Sequence, residues 1–389
     1  MAVANGFGKV VTSGSVFMYD VGDTVNSYKG KPTTNRFSTE ITDPTLDSLA
    51  IGNGAGSNPQ LGSGGTCAVA LFNGEKVLAI NRGTSSGVYY ENRVYWSIPL
   101  TTGNYYSWSA WVYSTVAGPT LQLEYYGGDY NWGVAQSYNT HTGTGWERLY
   151  AYANAVASSN TQTYCFIYIN TNNTIYVKDF QLENQIYPTQ FTTGTRSSTQ
   201  GLLPIVGNSS IDLSNVSFDS NAQMTFDGTN DYINIPSSNV FDTQTVTVEV
   251  IVKPYSTSQN GFWFEKGTVN TQYSLFMEGS NIVWRTAYGG TFDSLYFGSS
   301  NMAANAWNYV VGTYTAGDKK VYLNSTLMNS NSLNVTLNTN QGNQYIGSYN
   351  SNGYFYNGEI AIVKVYNRAL TAAEVRQNYN KYKTRFNLP

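Results

Sequence analysis

Aromatic and amide side chains recur at alternate positions of several short runs in the first half of the chain. In YSWSAWVYS (residues 106–114), two serines share one strand face with Trp111 and Tyr113, because successive side chains alternate between faces. Serines beside an indole indicate a surface rather than a core. LQLEYY and YCFIYIN also alternate core residues with residues expected on an outer face. Glycan and protein contacts use such exposed aromatic patches. The candidate binding residues are Trp111, Tyr113, Gln122, Glu124, Tyr126, Trp132 and Tyr168.

Acid–base and nucleophilic chemistry finds little support in the sequence. The chain has one histidine, His141, in a polar run that predicts an exposed loop, and no G-x-S-x-G elbow accompanies it. Glycoside hydrolysis needs two carboxylates facing one cleft, roughly 5–9.5 Å apart. The nearest acidic strand residues, Glu249 and Glu359, stand singly. We therefore predict a protein that is not an enzyme.

One acidic turn allows two interpretations. Asp227, Asn230 and Asp231 lie in the run MTFDGTNDYINIP, between two alternating strand fragments. Their oxygens are of the kind that bind calcium, but Asp, Gly and Asn at these spacings are also what a tight hairpin requires. The hairpin is the favoured interpretation. We predict no cofactor, with a structural calcium at this turn as the weaker alternative.

Composition narrows the classes of partner. The 389 residues include 12% charged residues and carry a net charge of -3, which provides no basic field for a phosphate backbone. Nucleic acid is therefore not an expected partner. No apolar run approaches the roughly 18 residues of a membrane helix, and the first twenty residues lack the features of a signal peptide. We expect neither membrane insertion nor secretion.

The elements that must position these residues are mostly strands. Runs such as VTVEVIV, NYVVGTY, KKVYLN and EIAIVKVY are rich in β-branched and aromatic residues, and Gly, Asn, Asp and Ser clusters separate them. One helix is predicted near the C-terminus, where Thr371 and Glu374 have the spacing of a capping box. The sequence predicts an all-β protein of two antiparallel β-sandwich (jelly-roll) domains with a short C-terminal helix.

Three separated motifs of the second half resemble one family. MTFDGTNDYINIP, AWNYVVGTYTAGDKKVYLNSTL and GYFYNGEIAIVKVYNRALTAAEV occur in the order found in the concanavalin A-like, laminin-G-like jelly-roll family. The resemblance extends over about residues 204–389. It implies that Trp307 has a structural place in a core. Laminarinase-type members of this fold carry E-x-D-x-x-E on one strand, and this chain has no such run.

The N-terminus extends the resemblance. GSVFMYDVGDTVNSYKGKPTTN resembles the opening strand and turn that precede the laminin-G-like core in many bacteriophage structural proteins, which also end in a segment close to QNYNKYKTRF. Residues 1–30 would then belong to the C-terminal sandwich of residues 201–389. Residues 31–200 would be an insertion that resembles a carbohydrate-binding-module jelly roll, with Trp146 at a structural position. The alternative is two domains joined in series.

The run QLENQIYPTQFTTGTRS (residues 181–197) would be the exit of this insertion. Pro188 favours an extended path, and Tyr187 and Phe191 can anchor to the finished sheet. We therefore expect a fixed segment rather than a flexible linker.

These resemblances imply a bacteriophage virion surface protein, such as a capsid decoration or tail-fibre component, made in the host cytoplasm. Its expected partners are neighbouring virion proteins and host surface glycans, in an oligomeric assembly. A secreted or cell-surface lectin is the alternative, and a laminarinase-like glycosidase is disfavoured by the missing carboxylate pair.

Overall fold

The computed structural model describes most of the chain and divides it into two units. The described residues are 9–37, 60–61, 66–81, 93–98, 100–101, 103–127, 131–133, 137–154, 162–169, 173–219, 221–267, 272–339 and 342–389. The N-terminal sandwich comprises Pro32–Arg196 with Ser220–Ala222. The C-terminal sandwich comprises Met1–Lys31, Ser197–Asp219 and Gln223–Pro389.

The chain enters the C-terminal sandwich with one strand and then leaves it. That strand is β1 (Ser15–Asp20). The N-terminal sandwich follows, with strands β2 (Thr33–Thr34), β3 (Gln60–Leu61), β4 (Thr66–Phe72), β5 (Glu75–Asn81), β6 (Arg93–Ile98), β7 (Tyr105–Ser114), β8 (Thr120–Gly127), β9 (Asn131–Gly133), β10 (Ser137–Tyr138), β11 (Gly145–Asn154), β12 (Gln162–Tyr168), β13 (Ile175–Glu183) and β14 (Thr195–Arg196).

The remaining elements complete the C-terminal sandwich. They are β15 (Asp212–Asn215), β16 (Ser217–Phe218), β17 (Met224–Asp227), β18 (Tyr232–Ile235), β19 (Val246–Pro254), β20 (Gly261–Lys266), β21 (Tyr273–Glu278), β22 (Asn281–Tyr288), β23 (Thr291–Gly298), β24 (Asn308–Thr315), β25 (Asp318–Leu323), β26 (Thr326–Asn331), β27 (Gln344–Ile346), β28 (Asn357–Tyr366) and the helix α1 (Ala372–Phe386). Two short 3-10 turns cover Asn239–Phe241 and Ser299–Asn301. All the strand pairs are antiparallel, and the all-β prediction is confirmed.

The N-terminal sandwich has two main sheets over one core. A six-stranded sheet has the order β10-β11-β7-β13-β5-β4, and a five-stranded sheet has the order β3-β6-β12-β8-β9. In β7, Tyr106, Trp108, Ala110 and Val112 are buried in the core that both sheets share, and Trp111 and Tyr113 alternate with them. The predicted core face of this strand is confirmed, whereas Ser107 and Ser109 of the opposite face are buried rather than exposed.

The last strand of the C-terminal sandwich, β28, pairs with the first strand of the chain. In its eight-stranded sheet β28 pairs with β17 at one end and with β1 at the other, where Tyr19 lies opposite Val363. This is the pairing that an insertion after the first strand requires. The opposing sheet has the order β15-β18-β27-β20-β21-β22-β23. The indole of Trp284 in that sheet packs so close to Gly312 that a Cβ there would lie 2.3 Å from a ring carbon.

The helix α1 covers the outer face of the eight-stranded sheet. Thr371 and Glu374 form the predicted capping box. Tyr379 and Tyr382 lie in a buried layer between helix and sheet. Trp307 is half-buried at the margin of this layer, 5.2 Å from the ring of Phe386. It therefore packs against this core, in line with its predicted structural place, although it is not itself fully buried. No helix in the described ranges is both long and apolar enough to cross a bilayer.

Candidate functional site

A β-bulge in β13 divides the outer face of the six-stranded sheet. Lys178 pairs with Trp111 of β7, and three residues later Gln181 pairs with Ser109, so β13 holds one extra residue. The extra residue allows Phe180 to turn into the core, where it stacks on Trp108, while Lys178 and Gln181 both stay on the outer face. The sheet surface is covered on the Gln181 side of the bulge and open on the Lys178 side.

On the Gln181 side, the exit segment of residues 184–197 folds back over the sheet. The buried carboxylate of Glu183 accepts hydrogen bonds from the Thr189 backbone N–H (2.8 Å) and from Gln185 Nε2 (2.9 Å). Gln181 Nε2 donates to the Gln190 carbonyl, and Gln181 Oε1 accepts from the backbone N–H of Thr192 at 2.7 Å. This part of the face is closed, and the segment is as fixed as the sequence predicts.

Two further side chains hold the exit segment. Arg196, which is buried, donates through Nη1 to Thr189 Oγ1 at 2.7 Å. The ring of Tyr187 lies 6.4 Å from Tyr150 and 6.0 Å from Tyr152 of β11. The closed part of the sheet therefore cannot serve as an open platform.

On the Lys178 side, four rings gather on the surface of the sheet. Phe72 of β4 stacks on Tyr176 of β13 with ring centroids 4.1 Å apart. Tyr113 lies 4.6 Å from Phe72, and Trp146 of β11 meets Tyr113 at 5.7 Å in an edge-on arrangement. All four side chains are half-buried. We call Phe72, Tyr113, Trp146 and Tyr176 the aromatic face.

Charged groups border the aromatic face. The ammonium group of Lys178 lies 4.9 Å from the centre of the Trp146 ring and forms an ion pair with Glu75, whose side chain is 59% exposed. Burial raises the pKa of the neighbouring Asp179 carboxyl, against the opposing effect of Lys178. Ring faces bind the apolar C–H surfaces of a planar or puckered ligand. The exposed Glu75 carboxylate and the half-buried Lys178 ammonium can exchange hydrogen bonds with hydroxyl groups. This combination fits a sugar.

The predicted binding residues divide between the two sheets. Trp111 and Tyr113 lie on β7 of the six-stranded sheet, and Trp111 is half-buried beside the aromatic face. Gln122, Glu124, Tyr126, Trp132 and Tyr168 lie on β8, β9 and β12 of the five-stranded sheet. The side chains of Glu124, Tyr126 and Trp132 fall outside the described residues, whereas Gln122 and Tyr168 are half-buried.

The seven candidate residues therefore do not lie on one surface. The physical reason is that the chain passes from one sheet to the other between β7 and β8, so their outer faces belong to opposite sides of the sandwich. Residue alternation within each strand does not reveal this crossing.

Three members of the aromatic face were not among the predicted residues. Tyr176 alternates with the core residues Ile175 and Val177, and this signal was available in the sequence. Phe72 ends β4 at a two-residue hairpin turn and has no such local signal. Trp146, which was assigned to a core, lies on the outer face, because it pairs with Tyr113 rather than with a core position of β7.

His141 is buried rather than exposed. Its Nε2 lies 3.0 Å from the carbonyl oxygens of both Val112 and Gly145, and its Nδ1 accepts a hydrogen bond from the Gly143 backbone N–H at 2.8 Å. The ring therefore carries its proton on Nε2 and ties the loop to β7. The prediction of an exposed loop histidine is wrong, because polar neighbours do not reveal that backbone carbonyls surround the ring.

The acidic turn of residues 227–231 is held by its own carboxylates. Asp227 Oδ1 accepts from the backbone N–H of Thr229 at 2.7 Å. The Asp231 carboxylate accepts from the Asp227 backbone N–H (2.8 Å) and from Ser217 Oγ (3.0 Å), while Asn230 is exposed. Burial raises the pKa of Asp231. These are the contacts of a tight turn, and no group of three His, Cys, Asp or Glu suited to a metal occurs in the described ranges.

Glu249 belongs to a buried ion pair. Its carboxylate lies 3.0 Å from the Lys364 ammonium and accepts from Asn378 Nδ2 at 2.7 Å, beneath α1. Glu359 pairs with Lys253 at 2.8 Å. Both carboxylates serve the packing of β19, β28 and the helix rather than a cleft.

One family model matches part of the C-terminal sandwich. Residues 227–376 match the family model described as the concanavalin A-like lectin/glucanases superfamily. Similar solved structures include the botulinum neurotoxin serotype G binding domain (TM-score 0.40, 17% identity, 46% of this chain and 48% of that chain). Another is the binding domain of botulinum neurotoxin DC in complex with rat synaptotagmin II (TM-score 0.38, 13% identity, 48% and 50%). The chain thus spans about half the length of these structures. No curated protein matches it.

Proposed function

We propose that the protein is a non-enzymatic carbohydrate-binding protein of a bacteriophage virion surface, and that the aromatic face contacts the glycan. The observation that carries the binding proposal is the cluster of four half-buried rings on one open part of a sheet, next to the ion pair of the half-buried Lys178 with the exposed Glu75. A core would bury these rings, and an ordinary solvated face would not gather them.

The virion part of the proposal has different support. It rests on the resemblance of the opening strand, the laminin-G-like motifs and the C-terminal segment to bacteriophage structural proteins. The pairing of β1 with β28 is consistent with that resemblance. Neighbouring virion proteins are the proposed partners, in an assembly formed in the host cytoplasm.

Two experiments test the two parts separately. Screening the full chain on a glycan array should give specific signals, and Tyr113→Ala should weaken them while Tyr168→Ala, a half-buried ring of the five-stranded sheet, should not. Loss with Tyr168→Ala alone would place the site on the other sheet. Immunogold labelling of intact particles should mark the virion surface, whereas labelling of the producing cell's envelope alone would favour the secreted or cell-surface lectin.

A further inference from the structure

The C-terminal sandwich has a pocket on the outer face of its seven-stranded sheet. The pocket measures about 260 Å³, and its lining includes Phe276, Arg285, Phe292 and Tyr354. The strand positions alternate with core residues such as Leu275 and Trp284, so these side chains face away from the sandwich interior. We call this site the arginine pocket.

Aromatic rings form its walls and floor. Phe276 is buried and stacks on Phe262 with centroids 4.2 Å apart and rings 2° from parallel. Phe292 and Tyr354 remain 51% and 57% exposed, which is unusual for such large rings. Tyr354 also has a φ of 49°, in the left-handed region that non-glycine residues seldom adopt. The backbone thus holds a tyrosine ring at the rim at a conformational cost, which is a feature of binding sites.

The Arg285 guanidinium lies between two of these rings with most of its hydrogen-bonding capacity unused. It stacks 4.6 Å from the Phe276 centroid and 5.3 Å from that of Phe292, while Nε donates to Ser294 Oγ at 3.2 Å. Its Nη2 is 3.9 Å from Glu278 Oε1, which is beyond hydrogen-bond distance. Glu278 is therefore a long-range ion-pair partner, and among the described residues neither terminal nitrogen donates a hydrogen bond, although the side chain is only 20% exposed. Neither terminal nitrogen belongs to the fully buried atoms without a partner, so both are open to a ligand that supplies acceptors.

Two further polar groups complete the pocket. The Glu278 carboxylate is 48% exposed and can accept hydrogen bonds. Asn260 uses Oδ1 to accept from the Gly279 backbone N–H at 2.8 Å, so its Nδ2 is available to donate. The arginine pocket therefore offers donors from Arg285 and Asn260, an acceptor from Glu278 and the flat surfaces of aromatic rings. The charges of Arg285 and Glu278 sum to zero.

We propose that the arginine pocket binds a single neutral pyranose residue, stacked against the rings and held by its hydroxyl groups. Arg285 would donate to adjacent hydroxyl oxygens, and Glu278 would accept from a hydroxyl. A sugar carboxylate would meet the repulsion of Glu278, which disfavours uronic and sialic acids. The volume lies below the roughly 300–1,000 Å³ of drug-sized pockets, which suits one sugar ring rather than a chain. This site lies in the other sandwich and does not depend on the aromatic face.

Saturation-transfer NMR on the full chain tests the proposal directly. The probes are the methyl glycosides of glucose, galactose, mannose and N-acetylglucosamine, with glucuronic acid and N-acetylneuraminic acid as acidic competitors, each at about 10 mM because single-sugar binding is in the millimolar range. The proposal predicts binding of at least one neutral glycoside and none of the acids at this site. Phe292→Ala and Arg285→Lys should each weaken it about five-fold or more.

The controls separate this site from the aromatic face. Tyr296→Ala removes a 44% exposed ring from the same strand as Phe292 but outside the pocket, and it should leave binding unchanged. Tyr176→Ala alters only the N-terminal sandwich and should also have no effect on a glycoside held by Arg285. The proposal is overturned if no neutral glycoside binds, if an acid binds more tightly through Arg285, or if Phe292→Ala and Tyr296→Ala behave alike.

Discussion

Removing Glu249 should strongly destabilise the C-terminal sandwich. The Glu249 and Lys364 side chains are fully buried, with 3.0 Å between carboxylate and ammonium, and burial lowers the pKa of Lys364. Glu249→Ala would leave the ammonium charged without a partner beneath α1, which costs about 3–5 kcal/mol. At about 2–4 °C per kcal/mol for a domain of this size class, the melting temperature should fall by about 6–20 °C.

The chain offers a matched control on the same two strands. Lys253 and Glu359 also pair between β19 and β28, but both side chains are about a quarter exposed, so Glu359→Ala should cost about 1 kcal/mol or less. Differential scanning calorimetry of the full chain measures both variants, and the transition that shifts identifies the sandwich. Replacing both Glu249 and Lys364 by Leu and Met should restore most of the stability. Equal small shifts for Glu249→Ala and Glu359→Ala would refute the assignment of a buried pair.

Three other predictions concern the helix, the core and catalysis. The bidentate ion pair with Arg368 holds the pKa of Glu374 at about 2. The ion pair therefore stabilises the fold fully above the ordinary pKa of Glu374, about 4.5, and this stabilisation is lost as the pH falls towards 2. Glu374→Gln should flatten this part of the curve of unfolding free energy against pH, and an unchanged slope would contradict the prediction. Gly312→Ala should lower the free energy of unfolding, measured with urea, by about 3 kcal/mol or more, because the new Cβ would overlap the ring of Trp284. Gly194→Ala, with open space around the new Cβ, should lower it little. Incubation with laminarin, agarose or alginate should release no reducing ends above a buffer control, and clear release would contradict the non-enzymatic proposal.

Local sequence patterns predict the individual strands and the helix of this protein better than they predict which strands lie next to each other. Alternation with serine placed Trp111 and Tyr113 on an outer face correctly, and the T-x-x-E spacing located the start of α1. These signals act within one strand or one helical turn. Whether β7 and β8 share a sheet depends on pairing with strands dozens of residues away, which alternation does not encode.

The burial of three residues, Trp146, Trp307 and His141, also depends on contacts with distant parts of the chain. The resemblance gives Trp146 and Trp307 structural positions, but how far each is buried depends on its neighbour in the fold. That neighbour is Tyr113 across the sheet for Trp146 and Phe386 at the helix end for Trp307. His141 has polar sequence neighbours and yet is enclosed by backbone carbonyls that arrive from β7. Long-range pairing, rather than residue type, decides each of these positions.

Calorimetric titration of a glycan identified on the array, comparing wild type with Tyr176→Ala and Tyr168→Ala, tests whether the aromatic face binds the glycan. Tyr176 supplies the ring that stacks on Phe72, and losing one aromatic stacking contact is worth about 1 kcal/mol, or about five-fold in Kd. We expect Tyr176→Ala to weaken binding by at least this factor, with the melting temperature close to that of wild type, while Tyr168→Ala binds normally. Undiminished binding by Tyr176→Ala, or the same loss in both variants, would contradict a glycan site on the aromatic face.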